Sequence, residues 1–139
     1  MPRLSKAAAQ ERKARIVALA EKRFVQNGYE QTTVDEIVKE IGLAKGTYYY
    51  HFDSKEDLMI AVSEKLILET STKLNAVYTQ KDKDIVWRIR NVLKTYQDDF
   101  YRNKGIWRQV YHWRNAMLYH RVAHISAQRF TPILEDLLA

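Results

Sequence analysis

Thr33-Val34-Asp35-Glu36-Ile37-Val38-Lys39-Glu40-Ile41-Gly42-Leu43-Ala44-Lys45-Gly46-Thr47-Tyr48-Tyr49-Tyr50-His51-Phe52 is the stretch on which the fold turns. Thr33 and Glu36 have the S/T-x-x-E spacing of a capping box, so a helix is expected to start there. Val34, Ile37, Val38 and Ile41 share its apolar face, and Gly42 stops it early. The turn Ile41-Gly42-Leu43-Ala44 leads into a second short helix over Ala44 to Phe52, ended by Asp53 and Ser54. Two short helices joined at a glycine turn are the parts of a helix-turn-helix. Tyr48 and Phe52 lie four apart and are expected to enter a core. Lys45 and Tyr49, also four apart, lie on a different face, and Gly46 lets the backbone approach whatever lies outside. Such a face suits the major groove of DNA, with Lys45 donating to guanine O6 and N7 and the Tyr49 ring meeting a thymine methyl. Thr47, Tyr50 and His51 offer groups suited to phosphate oxygens. Thr33 and Lys55 sit at helix starts, where free backbone N–H groups favour a phosphate.

Outward from this stretch the chain reads as helix after helix. Ile16, Leu19, Ala20 and Phe24 predict a first helix from about Ala9 to Asn27, with Gly28 placed for a left-handed turn. Ser54 and Asp57 form a second capping box, opening a long helix from Lys55 to Thr79 with Leu58, Val62, Leu66, Leu74 and Val77 toward the interior. Gln80-Lys81-Asp82-Lys83-Asp84 is the clearest linker. Ile85, Ile89, Val92, Tyr96 and Phe100 mark a fifth helix, broken at Asn103-Lys104-Gly105. Ile106, Val110, Trp113 and Met117 mark a sixth. A seventh is expected from Tyr119–Arg121, carrying Val122, Ile125, Ile133, Leu134, Leu137 and Leu138, with a kink or restart at Pro132. With four Gly and two Pro in 139 residues, the fold class is all-α.

Composition narrows the function. The absence of cysteine excludes disulfide scaffolds, thiolate zinc sites and thiol nucleophiles. The net charge is +6, and residues 1–23 alone carry +5, so a polyanionic partner is expected at the N-terminal end. A solvated basic arm is the plainer alternative. No uncharged run exceeds seven residues, against the roughly 20 that span a bilayer, so no membrane partner is expected. Met1-Pro2-Arg3-Leu4-Ser5-Lys6 has no apolar leader region, so a cytoplasmic, reduced setting is the expectation. No Gly-rich phosphate loop, HExxH or GxSxG occurs, and the adjacent Asp98 and Asp99 do not face each other on a helix. An enzyme is therefore not expected, nor a cofactor.

Residues 9–69 resemble the TetR family of bacterial transcriptional regulators. The residues that carry the resemblance are Ile16, Ala20, Phe24, Gly28-Tyr29, Thr32-Thr33, Glu36-Ile37, Gly42, Lys45 through Phe52, and Lys55-Glu56-Asp57-Leu58. The resemblance implies a helix-turn-helix head over 9–69 and a helical ligand-binding and dimerisation body over 70–139. It also implies homodimers on palindromic double-stranded operator DNA, usually repressing and released by a small-molecule effector. By position, Thr33, Tyr50, His51 and Lys55 look like phosphate contacts, and Lys45, Gly46 and Tyr49 like groove readers. Three residues depart from the family pattern. Ala44 cannot cap where a serine is common, Tyr48 replaces an aliphatic side chain and needs a polar exit for its hydroxyl, and Arg23 replaces an apolar neighbour of Phe24. Family members continue into two more long helices. This chain stops at Leu137-Leu138-Ala139 inside an apolar pattern, so the body is expected to be C-terminally truncated.

Residues 87–119 hold eight aromatics in 33 positions, about twice the chain average. A small-molecule pocket between helices is expected from Tyr96, Phe100, Trp107 and Tyr111. Ordinary core packing is the alternative for each. His120 and His124 have a metal-compatible spacing with His112 nearby, but no acidic residue between 112 and 124 completes a set, so no metal is expected. Two rival functions stay open: a basic DNA-coating protein without sequence preference, and a helical module whose aromatic stripe docks a partner helix.

Overall fold

The computed structural model describes residues 5–139, apart from the side chain of Trp113. Met1-Pro2-Arg3-Leu4, the start of the segment without an apolar leader and part of the basic N-terminal end, lie outside the described residues. The described chain is all-α, with α1 (Lys6–Asn27), α2 (Val34–Ile41), α3 (Lys45–His51), α4 (Lys55–Tyr78), α5 (Ile85–Arg102), α6 (Lys104–Val110), a 3-10 turn (Trp113–Asn115) and α7 (Ala116–Leu138). It divides into two compact units, Met1–Val62 and Ser63–Ala139. The break falls inside α4, whereas the sequence reading places it after residue 69. Among the described residues no helix is long and apolar enough to cross a membrane.

In the head, α1 starts earlier than Ala9 because the Ser5 hydroxyl accepts from the Ala8 N–H at 3.1 Å and caps the first turn. Ile16, Val17, Ala20 and Phe24 are its buried stripe. Gly28 has the positive φ expected of it, 85°, but with ψ at 156° it leaves the helix in an extended, glycine-specific conformation rather than a left-handed helical one. The capping box of α2 is complete: Thr33 Oγ1 accepts from the Glu36 N–H and Glu36 Oε2 accepts from the Thr33 N–H, both at 3.2 Å. Gly42 takes the left-handed conformation that closes α2, its N–H reaching the carbonyls of Val38 and Lys39. Ala44 makes no side-chain cap for α3. Ser54 Oγ accepts from the Asp57 N–H at 3.1 Å and opens α4.

In the second unit, Leu74, Val92, Ile133 and Leu137 form a buried cluster flanked by Val77, Tyr78, Ile89 and Phe130. Two expectations fail here and a third is narrowed. The stripe Ile106, Val110, Trp113, Met117 is not one helix. The α6 helix ends at Val110, and His112 adopts an extended backbone with its Nδ1 accepting from the Arg114 N–H at 3.2 Å. Asn115 Nδ2 donates to the Gln109 carbonyl at 3.0 Å, so side chains satisfy the broken ends and Met117 lies exposed on the next helix. That helix begins at Ala116, ahead of Tyr119–Arg121. Nor does Pro132 restart it: α7 is continuous from Ala116 to Leu138. The carbonyl that proline leaves without its donor belongs to Gln128, an exposed residue open to water, while buried Ile133 and Leu137 hold the following turn to the core.

Candidate nucleic-acid interface

The third helix is sharply two-sided. Tyr48 is 0% exposed and Phe52 is buried, and the Tyr48 hydroxyl finds its polar exit by donating to the Ser54 carbonyl at 2.9 Å. Burial first, and then the neighbouring Tyr49, Asp57 and Tyr29, push that phenol's pKa up, so it stays a donor. Lys45 and Gly46 are exposed, Tyr49 is 46% exposed and Tyr50 79%. No atom lies within 4 Å of where a Gly46 side chain would begin, so the backbone there is open to close approach. Thr47 and His51 are half-buried at the edges of this face.

The sequence reading misses the partner of Lys45. Its Nζ lies 2.9 Å from Asp35 Oδ1 across the turn, with both side chains more than half exposed. That hydrogen bond, reinforced by the aspartate's charge, raises the Lys45 pKa above its ordinary value. Ten positions separate the two residues, so neither a helical spacing nor a capping motif announces the pair.

Two of the residues read as phosphate contacts also have structural work within the head. Lys55 Nζ donates to the carbonyls of Tyr29 at 2.9 Å and Thr32 at 3.2 Å, and sits 4.2 Å from the centroid of the Tyr29 ring. Two of its three protons are thus used to close the loop between α1 and α2. In that loop Thr32, fully buried, donates to the Gly28 carbonyl at 2.8 Å. The Thr33 hydroxyl accepts as a cap and keeps its proton to give. His51 has a buried Nε2 with no hydrogen-bond partner. Burial, then the charges of Arg12 and Lys13, lower its pKa and hold the imidazole neutral. Arg23, out of family pattern, is tied to Glu40 by an ion pair between α1 and α2, with Nε to Oε2 at 2.7 Å.

In the second unit, Tyr96, Phe100, Trp107 and Tyr111 do converge. Together with Ile67, Thr70, Ser126 and Phe130 they line a cavity of about 20 Å³, room for one water molecule. Beside it Asp99 is 5% exposed and receives Lys73 at 2.9 Å and Arg102 at 3.1 Å. The Thr70 hydroxyl lies 3.0 Å from both Asp99 Oδ2 and the Leu66 carbonyl, with one proton for the two. Burial alone pushes the Asp99 carboxyl up, but the hydrogen bonds from Lys73 and Thr70 and the charges of Lys73 and Arg102 outweigh it and hold it below the usual range. Asp99 continues the Val92 and Tyr96 stripe at helical spacing, a signal that its position is internal. Phe130 stands likewise between Ser126 and Ile133 on α7. A separate, open groove of about 260 Å³ runs among Leu74, Val92, Leu93, Tyr96, Phe130, Ile133 and Leu134.

A three-helix head whose last helix buries one aromatic side and presents a lysine, a glycine and tyrosines on the other defines a helix-turn-helix DNA-binding class. Residues 16–62 match the family described as "Bacterial regulatory proteins, tetR family". Over 50 residues the chain is 44% identical to the HTH-type transcriptional regulator QacR of Staphylococcus aureus, a stretch covering 36% of this chain and 27% of that protein. Over 67 residues it is 36% identical to the uncharacterized HTH-type transcriptional regulator YerO of Bacillus subtilis, covering 48% of this chain and 23% of that protein. A TetR/AcrR-family transcriptional regulator from Thermobifida fusca superposes with a TM-score of 0.72 at 25% identity, over 91% of this chain and 68% of that one. The matched stretch thus spans about a quarter of these curated relatives' length. The family model, the relatives and the fold agree that this chain is similar to TetR-family transcriptional regulators, and the match in sequence is carried by the head.

Proposed function

We propose that this protein is a sequence-specific repressor that holds a palindromic operator as a homodimer and leaves it when a small molecule enters the helical body. The observation that carries the reading is the two-sidedness of α3: Tyr48 is sealed inside while Lys45, Gly46, Tyr49 and Tyr50 stand in solvent. Together these four residues give α3 a mixed basic and aromatic outer face with an open backbone at Gly46. Lys45 and Tyr49 read base edges; Thr33, Thr47, Tyr50, His51 and Lys55 hold the phosphates. The effector site is the ring of Tyr96, Phe100, Trp107 and Tyr111. Its present space is far below the roughly 300 Å³ of an ordinary ligand site, so the effector must widen it. Coupling follows if the widened body disfavours the DNA-bound state.

Selection of bound duplexes from a random pool tests the DNA half. A recovered palindrome supports a specific regulator. Binding that shows a steep salt dependence and no sequence preference makes the chain a DNA-coating protein instead. Tryptophan fluorescence, titrated with flat aromatic and cationic compounds, tests the effector half. A compound that shifts the emission and releases the selected duplex supports it, and silence across the panel counts against it.

A further inference from the structure

We infer that Asp35 and Lys45 read DNA together, as one donor–acceptor couple matched to a single G·C pair. The inference rests on the proposed DNA-binding role of α3 and adds to it a residue from α2 and a base pair. The couple is joined at 2.9 Å, and both of its members face solvent. If Lys45 enters the major groove, a carboxylate in hydrogen-bonding contact with its ammonium enters too. There the phosphates repel that carboxylate, and a base-edge donor is what can offset its loss of water.

The counting of donors and acceptors selects the pair. The Lys45 ammonium has three N–H groups, and Asp35 takes one. Two remain, and guanine offers two major-groove acceptors, N7 and O6. The cytosine across from it offers the adjacent N4 amino group, a donor suited to the free lone pairs of Asp35. O6 and N4 are hydrogen-bonded to each other, so their separation of roughly 2.9 Å equals that of an ordinary hydrogen bond, the same spacing as between Nζ and Oδ1. An A·T pair presents one acceptor before its amino group and leaves a lysine proton without a partner. Asp35 also neutralises Lys45 in the free protein, which weakens binding to arbitrary sequence.

The test is the random-duplex selection repeated with Asp35→Ala, Lys45→Ala and the double variant of the full 139-residue chain. Both positions are exposed, and melting curves establish that each variant is folded. The wild type is expected to require G·C at one position of each half-site. Lys45→Ala and Asp35→Ala should each reduce that preference on the order of tenfold, at that same position, and the double variant no further. Asp35→Ala should also bind random duplex more tightly than the wild type. A negative residue in the first turn of α2 that serves only the helix dipole would lower melting and leave every base preference intact, and that result overturns the inference while sparing the DNA-binding reading. An A·T requirement at the position that Lys45 controls overturns the G·C assignment. A wild type with no preferred sequence overturns the reading and the inference together.

Discussion

Tyr48 and Lys55 show how single side chains hold this head in shape. Tyr48 is buried where an aliphatic residue would need no partner, and its hydroxyl is satisfied by the Ser54 carbonyl at the start of α4. Tyr48→Phe keeps the ring and removes one of that carbonyl's two donors, the other being the Leu58 N–H at 3.3 Å. The expected cost is about 1 kcal/mol in urea unfolding, and an unchanged midpoint would show that the bond contributes nothing. Lys55 serves two carbonyls and one aromatic face. Lys55→Ala should therefore lower stability by about 2 kcal/mol, besides weakening DNA binding. If the variant loses DNA affinity with its unfolding midpoint intact, the lysine acts on phosphate alone. Its position at the start of α4 is plain in the sequence, but its two acceptors are not. They lie 26 and 23 residues back, in a loop whose path depends on buried Thr32.

Among the helices, α3 is the least supported by its own sequence. It is seven residues long, starts at an alanine that cannot cap, and carries glycine at its second position. Packing of Tyr48 and Phe52 must supply what propensity lacks. Ala44→Ser should add about 1 kcal/mol to unfolding by giving the first turn its missing acceptor, without touching a groove-facing group. A melt of equal midpoint would mean that the backbone at Ala44 cannot place a hydroxyl over the helix start. By contrast, α2 is legible residue by residue, because both bonds of its capping box join positions three apart. The α6–α7 junction is the reverse case. The spacing of Ile106, Val110, Trp113 and Met117 runs on as though unbroken, while the chain turns at His112 using bonds from side chains that no periodicity records.

The chain carries two chemically different units, a head with a basic, exposed surface and a body with a buried acid. Asp99 couples the body to pH. Its folded-state pKa lies below that of the unfolded carboxyl, so the stabilisation is complete above about pH 4 and is lost as pH falls through the depressed folded value. Asp99→Asn should destabilise at pH 7, where it leaves Lys73 and Arg102 without their counter-charge, and the gap to the wild type should close on acidification. A gap constant from pH 7 to pH 3 would show that charge is not what Asp99 contributes. The variant also bears on the proposed effector site, since the Thr70 hydroxyl bonds Asp99 and lines the cavity.

The amino-acid order determined the all-α class, the helix-turn-helix and the side of α3 that faces out, because capping pairs and apolar stripes act over three to eight residues of one helix. It also marked the four aromatics that meet in the body. Tertiary structure decided the remainder: that Asp35 reaches Lys45, that Lys55 clasps the loop before α2, that Asp99 is interior, and that the aromatic ring closes on a space of about 20 Å³. Each of these depends on how separate helices or loops stand against one another. That arrangement is set by the packing of many side chains at once, and no local pattern in the chain encodes it.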